Sequence, residues 1–311
     1  MTIFLLIDSE GGEIAEITIL DLTITSTTIA KSIDRFAIYA ENLVRSQIEH
    51  LYIYSNDTKS YPVPGGIAMK GVADTNMIND VEMWVIKGTG VEIGHGSEIR
   101  ITGGRIIGAD LRIDDSIGIH CTGNNGGVHI VDTDIIALAT GILLDNSSGA
   151  GSNREIFMSQ ATIDSNGQGL VVRDNSYISI VGIWAASSNM HQIFVDYNTS
   201  ALISISGGTI FNGGAIDCTD SSKWCNGMTV NSGSFILNGV EVRNNKGRGI
   251  WITNKSVTQF QIISCRIFAN GQGWNVNGSS FIISNNICND NQLPNIIVDE
   301  KSSIVQSNLA C

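Results

Sequence analysis

FILNGVEVRNNKGRGIWITNKS, Phe235–Ser256, is followed almost at once by FQIISCRIFANGQGWNVNGSS, Phe260–Ser280, and then by FIISNNICNDNQLPNIIVDEKSS, Phe281–Ser303. Each begins on Phe, runs through a short apolar strand, turns at Asn, and continues as a second strand, which in the first two lines follows a Gly and has the form G-φ-x-φ, where φ is apolar. Going backwards, lines beginning at Leu202, Ile178 and Ile156 fit the same template. Ile99–Gly127 and Val128–Glu155 fit it more loosely. The lines are about 21 to 25 residues long, except that of Leu202, which an insertion around CTDSSKWC (Cys218–Cys225) stretches. Repeats of this length made of strands alone describe a solenoid, because one coil cannot bury its apolar side but stacked coils can.

The repeat predicts an all-β chain: a right-handed, single-stranded parallel β-helix of the pectate-lyase-like kind. A leucine-rich repeat has a similar period but needs a Leu-rich consensus that is absent. A β-sandwich would show hairpins and no fixed period. Asn at the turns (Asn166, Asn212, Asn244, Asn270) suits the coil, since it tolerates left-handed geometry and its amide can bond along the stack. Residues 1–85 read as irregular N-terminal coils and 86–311 as the main β-helix, one continuous domain.

Composition agrees. Gly is abundant at 34 and Pro scarce at 3, aromatics make up 6% and charged residues 15%, as many short strands and turns require. The net charge of −12 repels phosphate backbones, so nucleic acid is not an expected partner. The opening MTIFLLIDSEGGE lacks a basic leader region and its apolar run is too short to span a membrane. That points to a cytoplasmic protein or a truncated chain, with no membrane partner. Of the six Cys, Cys218 and Cys225 flank a polar loop and could form a disulfide, the mark of an exported protein, or stand as two free thiols. Cys121 and Cys265 fall in apolar strand slots, as does Trp274. No His/Cys spacing suggests a metal, and no phosphate-loop pattern suggests a nucleotide.

Alternation assigns the outward side chains. In the G-φ-x-φ strand they are His120, Leu143, Val171, Phe194, Thr229, Trp251 and Asn275. The next residues also point outward, among them Thr122, Asp145, Arg173, Asp196 and Asn231. The other strand sends out Arg105, Asp134, Thr162, Thr209, Glu241 and Arg266. Asp134 and Asp145 therefore leave the core on adjoining strands of one coil, flanked by Arg105 and Arg173 with His120 nearby. Such a polar patch on a regular wall suits an extended sugar chain. Most acids outside a solenoid are plain solvated surface, and an outward Trp251 could face a sugar ring or a subunit interface.

Several stretches resemble the inulin fructotransferases: GIHCTGNNGGVHI (Gly118–Ile130), SSGAGSNREIF (Ser147–Phe157), SGGTIFNGG (Ser206–Gly214), CNGMTVNSG (Cys225–Gly233) and GVEVRNNKGRGIW (Gly239–Trp251). The resemblance covers roughly Ile86 to Cys311. It implies a parallel β-helix, a secreted homotrimer with sites between subunits, and no cofactor. It implies intramolecular fructosyl transfer, which releases a difructose anhydride from the end of a β-2,1-fructan, inulin. Family catalysis rests on an Asp and a Glu about eleven residues apart. Asp134 and Asp145 have that spacing, with Asp where the pattern has Glu, and Glu155 and Glu241 are the other acids that could stand second. Arg105, His120, Glu155, Arg173 and Trp251 are then the expected substrate-binding residues. The competing readings are a difructose-anhydride hydrolase, a tailspike- or pectate-lyase-like depolymerase, and a non-enzymatic β-helical adhesin.

Overall fold

The structure, a computed structural model, describes residues 5–7, 14–26, 36–55, 63–109, 115–214, 225–254, 256–297, 304–309 and 311. Among them the regular elements are all strands. They form two compact units, residues 1–162 and 163–311, each a stack of coils of a right-handed parallel β-helix.

In the first unit each coil contributes three walls. On one, Ile38, Ile67, Val91, Ile119 and Ile142 stand in register on successive coils. On the second the column is Ile48, Ile78, Ile101, Ile130 and Met158. On the third it is Ile53, Met83, Ile106 and Ile135. All of these side chains are buried. β-Branched residues suit such columns because their stiff χ1 packs well on a pleated surface.

The second unit follows the same plan. Leu237, Ile262 and Ile283 share a buried column, as do Ala185, Ile210, Val242, Ile267 and Cys288. The Phe residues that open the repeat lines stack inside: Phe260 lies 5.0 Å from Phe235 and 4.8 Å from Phe281, centroid to centroid. Replacing Phe260 with Leu keeps the burial but ends both stacks. We expect a loss of about 1–2 kcal/mol, since such pairs contribute beyond their buried area, measurable as a lower urea midpoint.

The turn Asn residues divide two roles between neighbours. Asn212 and Asn244 are left-handed, at φ 59° and 54°. Asn270 bonds along the stack as expected, in an internal ladder that runs Asn245, Asn270 and Asn291, each amide joined to the next. Asn125 and Asn153 do the same in the first unit. Gly271 is required by close approach, because a Cβ there would lie 2.4 Å from the Lys246 carbonyl oxygen.

Cys121 and Cys265 are free and buried, and Trp274 is buried. Cys225 is in a disulfide, while its expected partner, Cys218, lies outside the described residues. Cys288 and Cys311 form a further disulfide.

Several residues expected to point outward are covered. Thr122 is buried because the 146–151 loop folds over it, the Ser148 amide and hydroxyl both donating to its carbonyl oxygen. Thr229 is buried under His191 and Asn226, which hydrogen bond to its hydroxyl. Asn231 is buried beneath Thr253 and Ser256. Val171 and Leu143 are buried as well. At Thr122, Thr229 and Asn231 residues from outside the strand close over it, which alternation along the strand does not encode.

Candidate functional site

At the third residue of G-φ-x-φ, two successive strands of the first unit carry polar side chains of different chemistry. GVEI (Gly90–Ile93) sends out Glu92, and GIHC (Gly118–Cys121) sends out His120 in register with it. Their backbones are one coil apart, about 4.8 Å. Two residues beyond the register partner of Glu92 in the strand Val63–Lys70, Lys70 reaches back and forms an ion pair with Glu92. From the next coil, Asp145 follows the strand Thr140–Leu144, and its Oδ1 lies 3.0 Å from Nε2 of His120.

The turn DNSSGAG fixes this carboxylate. The Ser147 amide donates to Asp145 Oδ1 at 3.0 Å, and the Ser147 hydroxyl lies 3.4 Å from His120 Nε2. Asn153 donates to the Asp145 carbonyl oxygen. His120 and Asp145 are largely enclosed, their side chains 13% and 17% exposed. Beside them a cleft of about 170 Å³ is lined by Lys70, Gly94, His95, Thr122, Ser148 and Ala150.

Burial alone would raise the Asp145 carboxyl. The hydrogen bonds from His120 and Ser147, with the attraction of His120, outweigh it and hold the group below the usual carboxylate range. Burial draws the Lys70 ammonium below its ordinary value, which makes it a readier proton donor. One carboxylate kept ionised, a histidine aligned by it, and a second carboxylate paired with a partly buried lysine are the components of general acid–base chemistry. Among the described residues no group of three His, Cys, Asp or Glu side chains converges as metal ligands would.

The other expected residues are distributed more widely. Asp134 opens the strand Asp134–Ile136 in register with Arg105, whose Nε donates to it at 3.1 Å. That pair stands on a different column of strands from His120 and Asp145. Glu155 is exposed at the start of the strand Glu155–Ser159. In the second unit, Arg173 pairs with Asp196 at 3.5 Å, and Trp251 is half-buried with the Arg248 guanidinium 4.3 Å above its ring. Glu92 and Lys70 were not singled out from sequence. Extending the G-φ-x-φ template upstream to GVEIG and GIAMK is the signal that finds them.

Fold and site together define a right-handed parallel β-helix bearing an acid–histidine–lysine cluster on an outer wall. No family model matches the chain, and no curated protein matches it. Solved structures do resemble it. A mutant of the periplasmic alginate epimerase AlgG is 11% identical over 92% of this chain and 76% of its own, with a TM-score of 0.49. The A-module of the Azotobacter vinelandii mannuronan C-5 epimerase AlgE6 is 11% identical over 96% and 91%, with a TM-score of 0.39. Tailspike protein 3 of bacteriophage CBA120 is 10% identical over 96% of this chain and 52% of its own, with a TM-score of 0.38. Likeness at this level says nothing about the reaction.

Proposed function

We propose that the protein is an enzyme that cleaves glycosidic bonds in a polysaccharide, with the wall around Asp145 as its active site. The observation that carries the reading is the enclosed His120–Asp145 pair set beside Glu92 and Lys70. Cleavage needs one carboxylate ionised, to take a proton from the attacking hydroxyl or to stabilise oxocarbenium-like charge, and a second group that gives a proton to the departing oxygen. Asp145 has the first part. The eleven-residue spacing offers Asp134 for the second, and the geometry offers Glu92 with Lys70.

The finer reading is an inulin fructotransferase. Its support is the motif resemblance, two segments of which, Gly118–Ile130 and Ser147–Phe157, carry His120 and Ser147. An internal hydroxyl of the terminal difructose unit then attacks in place of water, favoured by its proximity, and a cyclic dianhydride leaves. A trimer with shared sites belongs to the same reading, and sedimentation velocity measures it. The Cys288–Cys311 disulfide favours an oxidising compartment.

The test is incubation with inulin, difructose anhydride and alginate, followed by mass analysis. A disaccharide lighter by one water than difructose supports transfer. Linear difructose from the anhydride supports a hydrolase. Shortened alginate supports a depolymerase, and no product from any of them contradicts the enzyme reading on these substrates. Lys70→Met, Glu92→Gln and Asp134→Asn, assayed side by side, identify the proton donor. Losing it should lower turnover about a hundredfold or more, and a variant that keeps full turnover is not the donor.

A further inference from the structure

The second unit presents a wall that combines aromatic rings with guanidinium groups. In a chain that is 6% aromatic, outward positions on successive coils hold rings and guanidinium groups in alternation. Phe211, Arg243 and Phe268 form one column. Trp184, Thr209, Glu241 and Arg266 form the neighbouring one. The Arg243 guanidinium stacks 4.4 Å over the Phe211 ring, and that of Arg266 lies 5.2 Å over Phe268. Glu241 joins the columns, accepting from Arg243 at 2.6 Å and from Arg266 at 3.2 Å. At the edge of the array, the Trp184 ring meets Phe211 edge-on at 4.7 Å while its Nε1 donates to Asp164. Trp184 nevertheless remains 42% exposed.

We propose that this wall is a binding platform for an extended neutral saccharide chain, separate in role from the acid–base cluster. The proposal rests on the polysaccharide reading above and adds a binding surface to it. Three features select the ligand. The part-exposed Trp184 indole is an apolar surface of the size of a sugar ring, and its position is fixed by the Phe211 and Asp164 contacts. The polar groups are planar forks already held in place, so vicinal hydroxyls can bond to them with little further ordering. The charges balance locally, with Asp164 and Glu241 against Arg243 and Arg266, so the strip matches hydroxyls and carries no field that would draw a polyanion. Coils repeat about every 4.8 Å, so a chain lying along the columns meets a ring or a fork at each step.

Binding is separated from turnover by measuring it on the Asp145→Asn background, by affinity electrophoresis in gels containing inulin, with alginate as the acidic control. Inulin should retard the protein and alginate should not. Adding Trp184→Ala should weaken retardation about tenfold or more, as truncating an aromatic anchor does, and Trp184→Phe should restore most of it. If inulin does not retard the parent, or Trp184→Ala binds as the parent does, the platform is wrong, whatever products the enzyme forms. Stronger retardation by alginate also overturns it, as does a sedimentation mass that falls in Trp184→Ala, which would make the wall a contact between copies. If Trp184→Ala loses retardation while the wild type yields no product from any substrate tried, the platform stands and the glycosidase reading fails.

Discussion

Asp145→Asn is expected to reduce turnover about a thousandfold, within the range that general acid–base groups contribute, while the protein remains folded. The amide keeps the size of the carboxyl and can still accept the Ser147 amide. It cannot take a proton, and it no longer holds charge against His120. The wild-type pH profile provides a second check. Because His120 and Ser147 keep the Asp145 carboxyl below the usual range, the acid limb of kcat/KM should fall below about pH 4, the ordinary carboxylate value. Stability has the same sign. A carboxyl whose pKa is depressed by folding stabilises the protein above the unfolded value, and this contribution is lost as pH falls through the folded one. Thermal melts from pH 7 down to pH 3 should therefore drop more steeply for the wild type than for Asp145→Asn. Unchanged turnover in the variant, with parallel melting curves, would remove Asp145 from the centre of the site.

The parts of this molecule that could be read from sequence are those that repeat. A period with Phe235, Phe260 and Phe281 at the head of each line places three rings one above another, and the structure stacks them. Alternation placed Arg105 beside Asp134 on the next coil, and their ion pair is there. Long-range order in a solenoid is the same neighbour relation applied again, so local pattern carries it. The site depends on what breaks the period. Thr122 has an outward slot but lies beneath a seven-residue turn, DNSSGAG, whose path follows from its own side-chain bonds. Lys70 acts two residues beyond the register partner of Glu92, at a strand end where alternation stops being informative. Glu92 was accessible in principle, since GVEIG matches the template. The repeat is least regular before Ile99, which weakens that match. Cys311 pairs with Cys288 across 23 residues, a distance that no spacing rule connects.

The largest loss of stability is expected at Asn270, which is fully buried and sits in the middle of the internal ladder. Its Oδ1 accepts from the Asn245 amide at 3.1 Å and from the Asn245 side chain at 2.9 Å. Its Nδ2 donates to the Val242 carbonyl oxygen and to Asn291 Oδ1, both at 3.1 Å. Asn270→Ala leaves a buried backbone N–H and a buried carbonyl without these partners and opens a void beside them. At about 1–3 kcal/mol for each orphaned group, the cost should be about 4 kcal/mol, visible as a large drop in the urea midpoint. Asn270→Asp separates bonding from packing. It keeps the shape and the acceptor but brings a carboxyl to where the ladder needs a donor, and burial raises its pKa. At neutral pH that variant should be at least as unstable as the alanine one. Its deficit should shrink as pH falls towards about 4, the unfolded value, because the neutral acid can donate to Val242 or Asn291. If instead Asn270→Asp is indifferent to pH and Asn270→Ala melts with the wild type, the amide ladder contributes little, and the apolar columns alone hold the coils in register.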